Sequence, residues 1–194
     1  MTNLIFDFGG VLIDWNPHYV YDPYFGDRSK ADWFLKNVCT MEWNVEVDAG
    51  KPVAEGNADL VATFPEWKKE IEMYFGRWIE MVGDPIPGMY ELLCDLKAAG
   101  YRLWGLSNWS AETFEQIEDD FAALKLLDGR VVSGYEGVVK PSPEIYRLLL
   151  DRFGLSASEC AFIDDNPVNV AAAEALGIRG ILFKDAASLR SLLL

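Results

Sequence analysis

Apolar and polar positions follow a helical pattern in the first part of the chain. From Pro65 to Val82, apolar residues recur every three or four positions with charged residues between them, which predicts one amphipathic helix. The apolar positions are Trp67, Ile71, Tyr74, Phe75, Trp78, Ile79 and Val82. Shorter helical patterns lie at residues 29–39 and 58–61, and no strand pattern interrupts residues 16–83. We expect this part of the chain to form a small helical bundle.

From residue 88 onward, strand and helix patterns alternate. Apolar runs of strand length lie at residues 101–106, 130–133, 160–164 and 179–183, and another opens the chain at residues 1–7. Helical patterns lie at residues 88–99, 111–127 with a break, 143–153, 167–176 and 186–193. This alternation is typical of a parallel sheet with helices on both faces. The predicted fold is α/β, a Rossmann-like doubly wound core of residues 1–14 and 85–194 with a helical bundle inserted at residues 15–84.

Composition restricts the kinds of molecule that the protein is expected to bind and the cellular compartment in which we expect it. The 17 Lys and Arg against 31 Asp and Glu give a net charge of -14, so we expect no nucleic-acid partner and no anionic membrane surface. No apolar stretch reaches 18 residues, and the N-terminus lacks the pattern of a secretion signal. Cys39, Cys94 and Cys160 are widely spaced, which favours reduced thiols over a metal site. These features predict a cytoplasmic protein.

Several residues that can take part in chemistry lie directly after predicted strands or directly before predicted helices. They are Asp7 with Gly9 and Gly10, Ser107 with Asn108, Lys140 between Val139 and Pro141, and the pair Asp164 and Asp165. In an open parallel sheet, ligands bind beyond the carboxyl ends of the strands. We therefore expect three carboxylates, one lysine and one hydroxyl to share a single edge of the sheet.

Three carboxylates at one edge need a cation. At a separation of about 4 Å, each pair repels by roughly 4 kcal/mol at an effective dielectric near 20. A hard ion that prefers oxygen ligands and binds a substrate phosphate describes Mg²⁺. Lys140 adds positive charge and Ser107 a hydroxyl donor. Such a site suits phosphoryl transfer in which Asp7 attacks phosphorus.

The order of these four motifs resembles the haloacid dehalogenase-like superfamily of hydrolases. The resemblance implies that Asp7 is the nucleophile and a Mg²⁺ ligand, and that the Gly9 carbonyl is a second ligand. It further implies that Asp164 and Asp165 complete the acidic ligands, while Ser107 and Lys140 bind the transferred group. The helical insertion is then the cap of the enzyme. The expected partner is a small phosphate ester, and the protein is expected to be a monomer or a homodimer.

One position departs from the pattern of phosphatases in this superfamily. They usually have a second aspartate two residues after the nucleophile, which protonates the leaving oxygen, but here that residue is Gly9. Asp14 is a candidate substitute, although a surface role fits it better, and the single histidine, His18, is assigned to the helical region. The glycine resembles the pattern of bacterial sugar phosphatases that act on glucose 1-phosphate. An anomeric phosphate is therefore the leading substrate hypothesis.

The sequence also indicates where the substrate is contacted. Gly9, Gly10 and Asn108 are expected to touch it, and Trp15 and Trp109 follow motifs and are expected to wall the pocket. Residues 41–44 break helical periodicity and are predicted to form a loop facing the site. We assign Glu42, Trp43 and Asn44 from that loop to substrate selection. The remaining tryptophans considered, Trp33, Trp67, Trp78 and Trp104, are interpreted as packing residues.

Two alternatives remain open. A 2-haloacid dehalogenase also lacks the second aspartate, attacks carbon and needs no metal, but Asp164 and Asp165 would repel its carboxylate substrate and departing halide. A catalytically degenerate protein that binds a phosphate ligand or a protein partner would also tolerate Gly9. Loss of turnover with EDTA and with Asp7→Asn separates these possibilities.

Overall fold

A parallel sheet lies at the centre of the protein, whose computed structural model describes residues 2–194. Within that range the strands are β1 (Asn3–Phe6), β2 (Ile13–Trp15), β3 (Val82–Pro85), β4 (Arg102–Ser107), β5 (Gly129–Val132), β6 (Cys160–Asp164) and β7 (Arg179–Leu182). Five of them form the central sheet in the order β5, β4, β1, β6, β7, with every pair parallel. The predicted α/β fold with a doubly wound parallel sheet is confirmed.

Helices surround the sheet and fill the segment between β2 and β3. That segment, residues 16–81, is called the helical insertion below. It contains α1 (His18–Phe25), α2 (Arg28–Asn37), α3 (Met41–Asp48), α4 (Val53–Thr63) and α5 (Lys68–Gly76). The rest of the chain contains α6 (Met89–Ala98), α7 (Ala111–Phe114), α8 (Ala122–Lys125), α9 (Ser133–Glu136), α10 (Pro143–Phe153), α11 (Pro167–Glu174) and α12 (Ala186–Leu193).

The register of the central strands decides which residues meet at its carboxyl edge. Phe6, the last residue of β1, is opposite Gly105 of β4 and Ile163 of β6. The residue after β1 therefore lies level with the ends of both neighbouring strands. This brings Asp7 beside the end of β6, although more than 150 residues of chain separate them.

A small second sheet stands where the helical insertion leaves and rejoins the core. Strands β2 and β3 pair antiparallel, with Trp15 opposite Val82 and Ile13 opposite Pro85. The prediction of no strand within residues 16–83 is wrong at its end, where β3 begins at Val82, because a short strand whose partner lies about 70 residues away has no local signature. The proposed division at residues 14/15 and 84/85 falls at these strands and stays a prediction.

The long helix predicted at residues 65–82 is also wrong as a single element. The structure has a 3₁₀ turn at Pro65–Trp67, then α5, then a second 3₁₀ turn at Trp78–Met81 that leads into β3. The helix ends near Gly76, which has low helix propensity. Beyond it, the Trp78 ring packs against Trp15, with centroids 5.4 Å apart. Tertiary packing thus overrides the helical spacing.

The predicted loop at residues 41–44 is the first turn of α3. Thr40 caps this helix, because its hydroxyl accepts a hydrogen bond from the Trp43 amide at 3.3 Å. The buried residues of α3 are Trp43, Asn44, Val47 and Asp48. Two of the four are polar, so a search for apolar periodicity misses the helix.

The apolar core joins the sheet to the helical insertion. One cluster lies on one face of the sheet and includes Ile5, Tyr146 and Phe162. The other continues from Phe6 into the insertion as far as Phe34 without interruption. In the described part of the chain, no helix has the length and apolar character needed to cross a membrane.

Candidate active site

Asp7 stands at the carboxyl end of β1 in a fixed orientation. Its amide donates to the Ile163 carbonyl at 2.9 Å, and its Oδ1 accepts a hydrogen bond from the Phe8 amide at 2.7 Å. The side chain is largely buried, with a relative exposure of 9% for the residue. The apolar strand therefore delivers one carboxyl oxygen, Oδ2, toward the edge of the sheet.

Lys140 lies between two carboxylates. Its Nζ is 2.8 Å from Asp7 Oδ2 and 2.7 Å from Asp164 Oδ2, and the residue is almost fully buried. Asn108 fixes the lysine backbone, since its side chain accepts from the Lys140 amide and donates to the Lys140 carbonyl. Burial alone would lower the pKa of Lys140, but the two carboxylates outweigh it and raise the pKa, so the ammonium stays charged.

Asp164 and Asp165 follow one another but occupy different environments. Asp164 is fully buried and accepts hydrogen bonds from the Asn166 amide at 2.8 Å and from Asn169 Nδ2. Asn166 in turn caps α11, because its side chain accepts from the Val168 amide. Asp165 is exposed and approaches the loop after β1 closely: a Cβ built on Gly10 would lie 2.5 Å from Asp165 Oδ2.

The three carboxylates form a cluster with the dimensions of a metal site. Oxygen atoms of Asp7, Asp164 and Asp165 all lie within 4.8 Å of one another. Ligand oxygens on opposite sides of Mg²⁺ are about 4.2 Å apart, so small adjustments bring the cluster onto one ion. Burial of Asp7 and partial desolvation of the Asp165 carboxylate raise their pKa values, and the neighbouring charge of Asp164 raises both further. The ammonium of Lys140 offsets only one of the three negative charges, so the donor set fits a divalent cation.

A cavity of about 620 Å³ covers this cluster. From the core it is lined by Asp7, Gly9, Gly10, Ser107, Asn108, Trp109, Val139, Lys140, Pro141, Asp165, Asn166, Val168 and Asn169. Together with Trp15 on β2, the helical insertion contributes Met41, Asn44, Val45, Asp48 and Trp78. The site is therefore a cleft between the sheet edge and the insertion.

Two residues assigned to substrate selection lie outside this lining. Trp43 is buried in the insertion, where its indole Nε1 donates to the Gly56 carbonyl at 2.9 Å. Glu42 is exposed on the first turn of α3. Because residues 41–48 form a helix rather than a loop, the cavity instead receives the face of α3 that contains Met41, Val45 and Asp48.

Asp14 and His18, the two other candidates for proton transfer, do not line the cavity. Asp14 Oδ2 accepts a hydrogen bond from the Tyr19 hydroxyl. His18 begins α1, and its Nδ1 lies 2.7 Å from Asp22 Oδ1. Both side chains are therefore engaged elsewhere.

Sequence reasoning missed several residues of the cavity wall, among them Trp78 and Asp48. Trp78 was interpreted as packing, and it both packs and lines the cavity. Asp48 was not singled out, although Asn44 lies four residues before it, and a polar pair at this spacing shares one face of a helix. Only the burial of both side chains distinguishes this pair from an ordinary exposed one.

Comparison with known proteins places the chain in a family. The model of the haloacid dehalogenase-like hydrolases matches residues 1–177. Sesquiterpene phosphatase astK of Aspergillus oryzae is 30% identical over 190 residues, which cover 93% of this chain and 89% of that protein. Flavin mononucleotide hydrolase 1 of Arabidopsis thaliana is 34% identical over 104 residues, 54% of this chain and 42% of that protein. The crystal structure of the enzyme bt-2542 from Bacteroides thetaiotaomicron, in complex with magnesium and inorganic phosphate, superposes with a TM-score of 0.71 at 22% identity over 95% of both chains. This chain belongs to the haloacid dehalogenase-like hydrolases.

Proposed function

We propose that this hydrolase is a Mg²⁺-dependent phosphomonoesterase that acts on a small phosphorylated metabolite. One observation carries the proposal: three carboxylates and a buried lysine converge at the base of the cleft between the sheet edge and the insertion. Magnesium held by Asp7, the Gly9 carbonyl and the pair Asp164 and Asp165 would neutralise negative charge on the phosphoryl oxygens. The names of two relatives, a sesquiterpene phosphatase and a flavin mononucleotide hydrolase, support the same reaction class.

The residues of this chain suit a covalent mechanism. The Phe8 amide and Lys140 hold the Asp7 carboxylate so that it cannot turn away from the cavity. One of its oxygens attacks phosphorus, the bond to the leaving oxygen breaks, and water later hydrolyses the aspartyl-phosphate. Lys140 and the hydroxyl of Ser107 bind the transferred group. Asn108 acts through the lysine, whose backbone it fixes.

The cavity walls favour a substrate whose alcohol part has several oxygens. The indole N–H groups of Trp15, Trp78 and Trp109 and the Oδ1 of Asn44 are buried, and within the described residues they have no hydrogen-bond partner. Buried polar groups normally have one. A sugar's hydroxyl groups would supply both kinds of partner once the side chains of the wall turn toward it, because the four atoms themselves are shielded from the cavity in this structure. A sugar phosphate with an anomeric phosphate therefore remains the leading substrate proposal.

A haloacid dehalogenase is the second candidate, and the charge of the site counts against it. Lys140 is the single cationic side chain among the described residues that line the cavity, and it is already shared by Asp7 and Asp164. A carboxylate substrate and a departing halide would meet the remaining negative charge directly.

Phosphate release from a panel of esters tests the proposal. The panel contains sugar 1-phosphates, flavin mononucleotide, prenyl phosphates and 2-haloacids, each with Mg²⁺ and with excess EDTA. We expect phosphate release with Mg²⁺. The rate should fall at least about 10³-fold with EDTA, which removes the ion that stabilises charge on the phosphoryl oxygens. It should fall at least as much with Asp7→Asn, which removes the nucleophile. Asp151→Asn, an exposed position on α10, is the matched control and should keep full activity.

The same experiment identifies the competing functions. Halide release that persists in EDTA would establish a dehalogenase. Binding of phosphate esters with no turnover would establish a degenerate enzyme.

Trapping the covalent intermediate tests the role of Asp7. Acid-quenched protein should carry one phosphoryl group on Asp7, and a beryllofluoride complex centred on another residue would contradict the assignment.

A further inference from the structure

The proposed reaction lacks an evident proton donor for the leaving oxygen. Gly9 has no side chain at the position where related phosphatases have an aspartate. The titratable side chains that line the cavity, among the described residues, are those of Asp7, Asp48, Lys140 and Asp165. Asp7 and Asp165 belong to the carboxylate cluster, and Lys140 is held between Asp7 and Asp164. Asp48 is the one carboxyl group in the cavity wall that the mechanism has not used.

Asp48 is held in place by contacts from the insertion and from the core. It is the last residue of α3 and is 5% exposed. Asn44, one turn earlier, donates its Nδ2 to Asp48 Oδ2 at 2.8 Å. Ser133, the residue after β5, donates its hydroxyl to the Asp48 carbonyl at 2.6 Å. These contacts fix the Asp48 carboxyl in the wall that the insertion contributes to the cavity, whose opposite wall contains Asp7.

We propose that Asp48 is the general acid and base of the reaction, in place of the aspartate that Gly9 lacks. The inference rests on the proposed phosphatase function and adds a catalytic residue from the helical insertion. The position of Asp48 suits this role, because an alcohol leaving group must point away from the attacking Asp7, and that direction leads from the sheet edge toward the insertion.

The proton balance over the two steps is complete. In the first, an Asp7 oxygen forms a bond to phosphorus, the bond from phosphorus to the leaving oxygen breaks, and that oxygen takes its electron pair and the Asp48 proton. In the second, the Asp48 carboxylate removes a proton from water, whose oxygen attacks phosphorus and displaces Asp7. The second step restores the Asp7 carboxylate and the Asp48 acid, and it releases inorganic phosphate.

The surroundings of Asp48 allow it to hold a proton near neutral pH. Burial raises the pKa of Asp48 to about 7, with a further increase from the charge of Asp7, while the Ser110 backbone and Lys140 lower it. From α5, the buried phenol of Tyr74 faces it as an uncharged neighbour. The carboxyl at the C-terminus of α3 also meets the negative end of the helix dipole, which favours its neutral form. The group is thus an acid below about pH 7 and a base above it.

Asp48→Asn tests the role through its dependence on the leaving group. The substrates are 4-nitrophenyl phosphate and the best alkyl phosphate of the panel. A phenolate with a low pKa leaves without a proton, so we expect kcat/KM to fall less than about 10-fold for the aryl ester but about 10²- to 10⁴-fold for the alkyl ester. The variant should also release a burst of nitrophenol, because hydrolysis of the aspartyl-phosphate is slowed. Glu46→Gln, an exposed position on the same helix, is the matched control and should change neither value.

A rescue experiment separates chemistry from structure. A Cβ at Gly9 would have no atom within 4 Å, so a side chain can leave the backbone there without a clash at its first atom. Added to Asp48→Asn, Gly9→Asp should restore alkyl phosphate turnover at least about 10-fold, since it returns a carboxyl to the position used by related enzymes.

The pH profile of the wild-type protein is a test that needs no variant. Its kcat/KM for the alkyl ester should decline above about pH 7, and the aryl ester should lack that decline.

The outcomes are distinct for the two proposals. Equal losses for both substrates in Asp48→Asn, with no burst and no rescue by Gly9→Asp, would overturn the role of Asp48 while leaving the phosphatase function intact. Parallel pH profiles for the two esters in the wild-type protein would overturn it as well. Full turnover by Asp7→Asn would instead overturn the phosphatase mechanism itself.

Discussion

Gly9 and Gly10 are adjacent, yet the structure requires glycine at only one of them. Gly10 has a φ of 74°, in the left-handed region, and a Cβ there would lie 2.5 Å from Asp165 Oδ2. Gly9 lies outside that region, and its neighbourhood is open. The close approach of the loop to Asp165 thus depends on Gly10. A substitution at Gly9 is expected to leave the free energy of unfolding nearly unchanged.

Gly10→Ala should therefore damage both folding and metal binding. We expect the free energy of unfolding to fall by about 1–3 kcal/mol, because the new Cβ strains the backbone and displaces Asp165. The Mg²⁺ affinity should fall as well. Urea unfolding and calorimetric Mg²⁺ titration measure the two effects. Gly9→Ala is the control for unfolding and should stay within about 0.5 kcal/mol of the wild type; similar stability of the two variants would contradict the interpretation.

At the scale of elements, one buried hydroxyl ties the end of α3 to the core. Ser133 Oγ donates to the Asp48 carbonyl at 2.6 Å and accepts from the Trp109 amide at 3.0 Å, and the residue is fully buried. The carbonyl belongs to the helical insertion, and the amide follows β4. The bond holds α3 at a fixed distance from the carboxyl edge of the sheet.

Ser133→Ala should loosen this junction. It leaves a buried carbonyl and a buried amide without partners, so we expect a loss of about 1–3 kcal/mol in the free energy of unfolding. Chemical denaturation measures it, with the exposed Ser158→Ala as the matched control. Equal stability of the two variants would show that the hydroxyl is not a tie between the insertion and the core.

Regular elements of the core were predictable, and those of the insertion less so. The core strands and helices have apolar runs, capping residues and glycine stops within their own segments, as Ser142, Pro143 and Gly154 show for α10. The helix α3 has a half-polar buried face, and β3 has only a distant partner. Their signals arise from contacts with the rest of the molecule, so local patterns missed them.

At the scale of the whole molecule, excess negative charge opposes the compact state. The net charge is -14, and the sequence isoelectric point is near 4.4. Self-repulsion of this kind is long-range and is screened by salt, since the Debye length is about 10 Å at 0.1 M. A magnesium ion at the carboxylate cluster would relieve the part of it that is most concentrated.

Salt should therefore stabilise the metal-free protein at neutral pH. We expect the Tm at pH 7 in EDTA to rise by several degrees between 0.02 and about 0.5 M NaCl, because a gain of about 1 kcal/mol corresponds to about 2–4 °C for a chain of this size. Differential scanning calorimetry measures the shift. Near pH 4.4 the net charge vanishes and the rise should disappear; an equal rise at both pH values would point to an effect of salt other than screening.

The sequence by itself determined the fold class and the identity of the residues at the sheet edge. Asp7, Ser107, Lys140 and the pair Asp164 and Asp165 each follow a strand or precede a helix, and the rule that parallel strands end at one edge brings them together. Only the tertiary structure decided what faces them. Asp48 and Trp78 reach the cavity because the helical insertion folds back over the sheet. Contacts between segments far apart in the chain, rather than any local pattern, fix that placement.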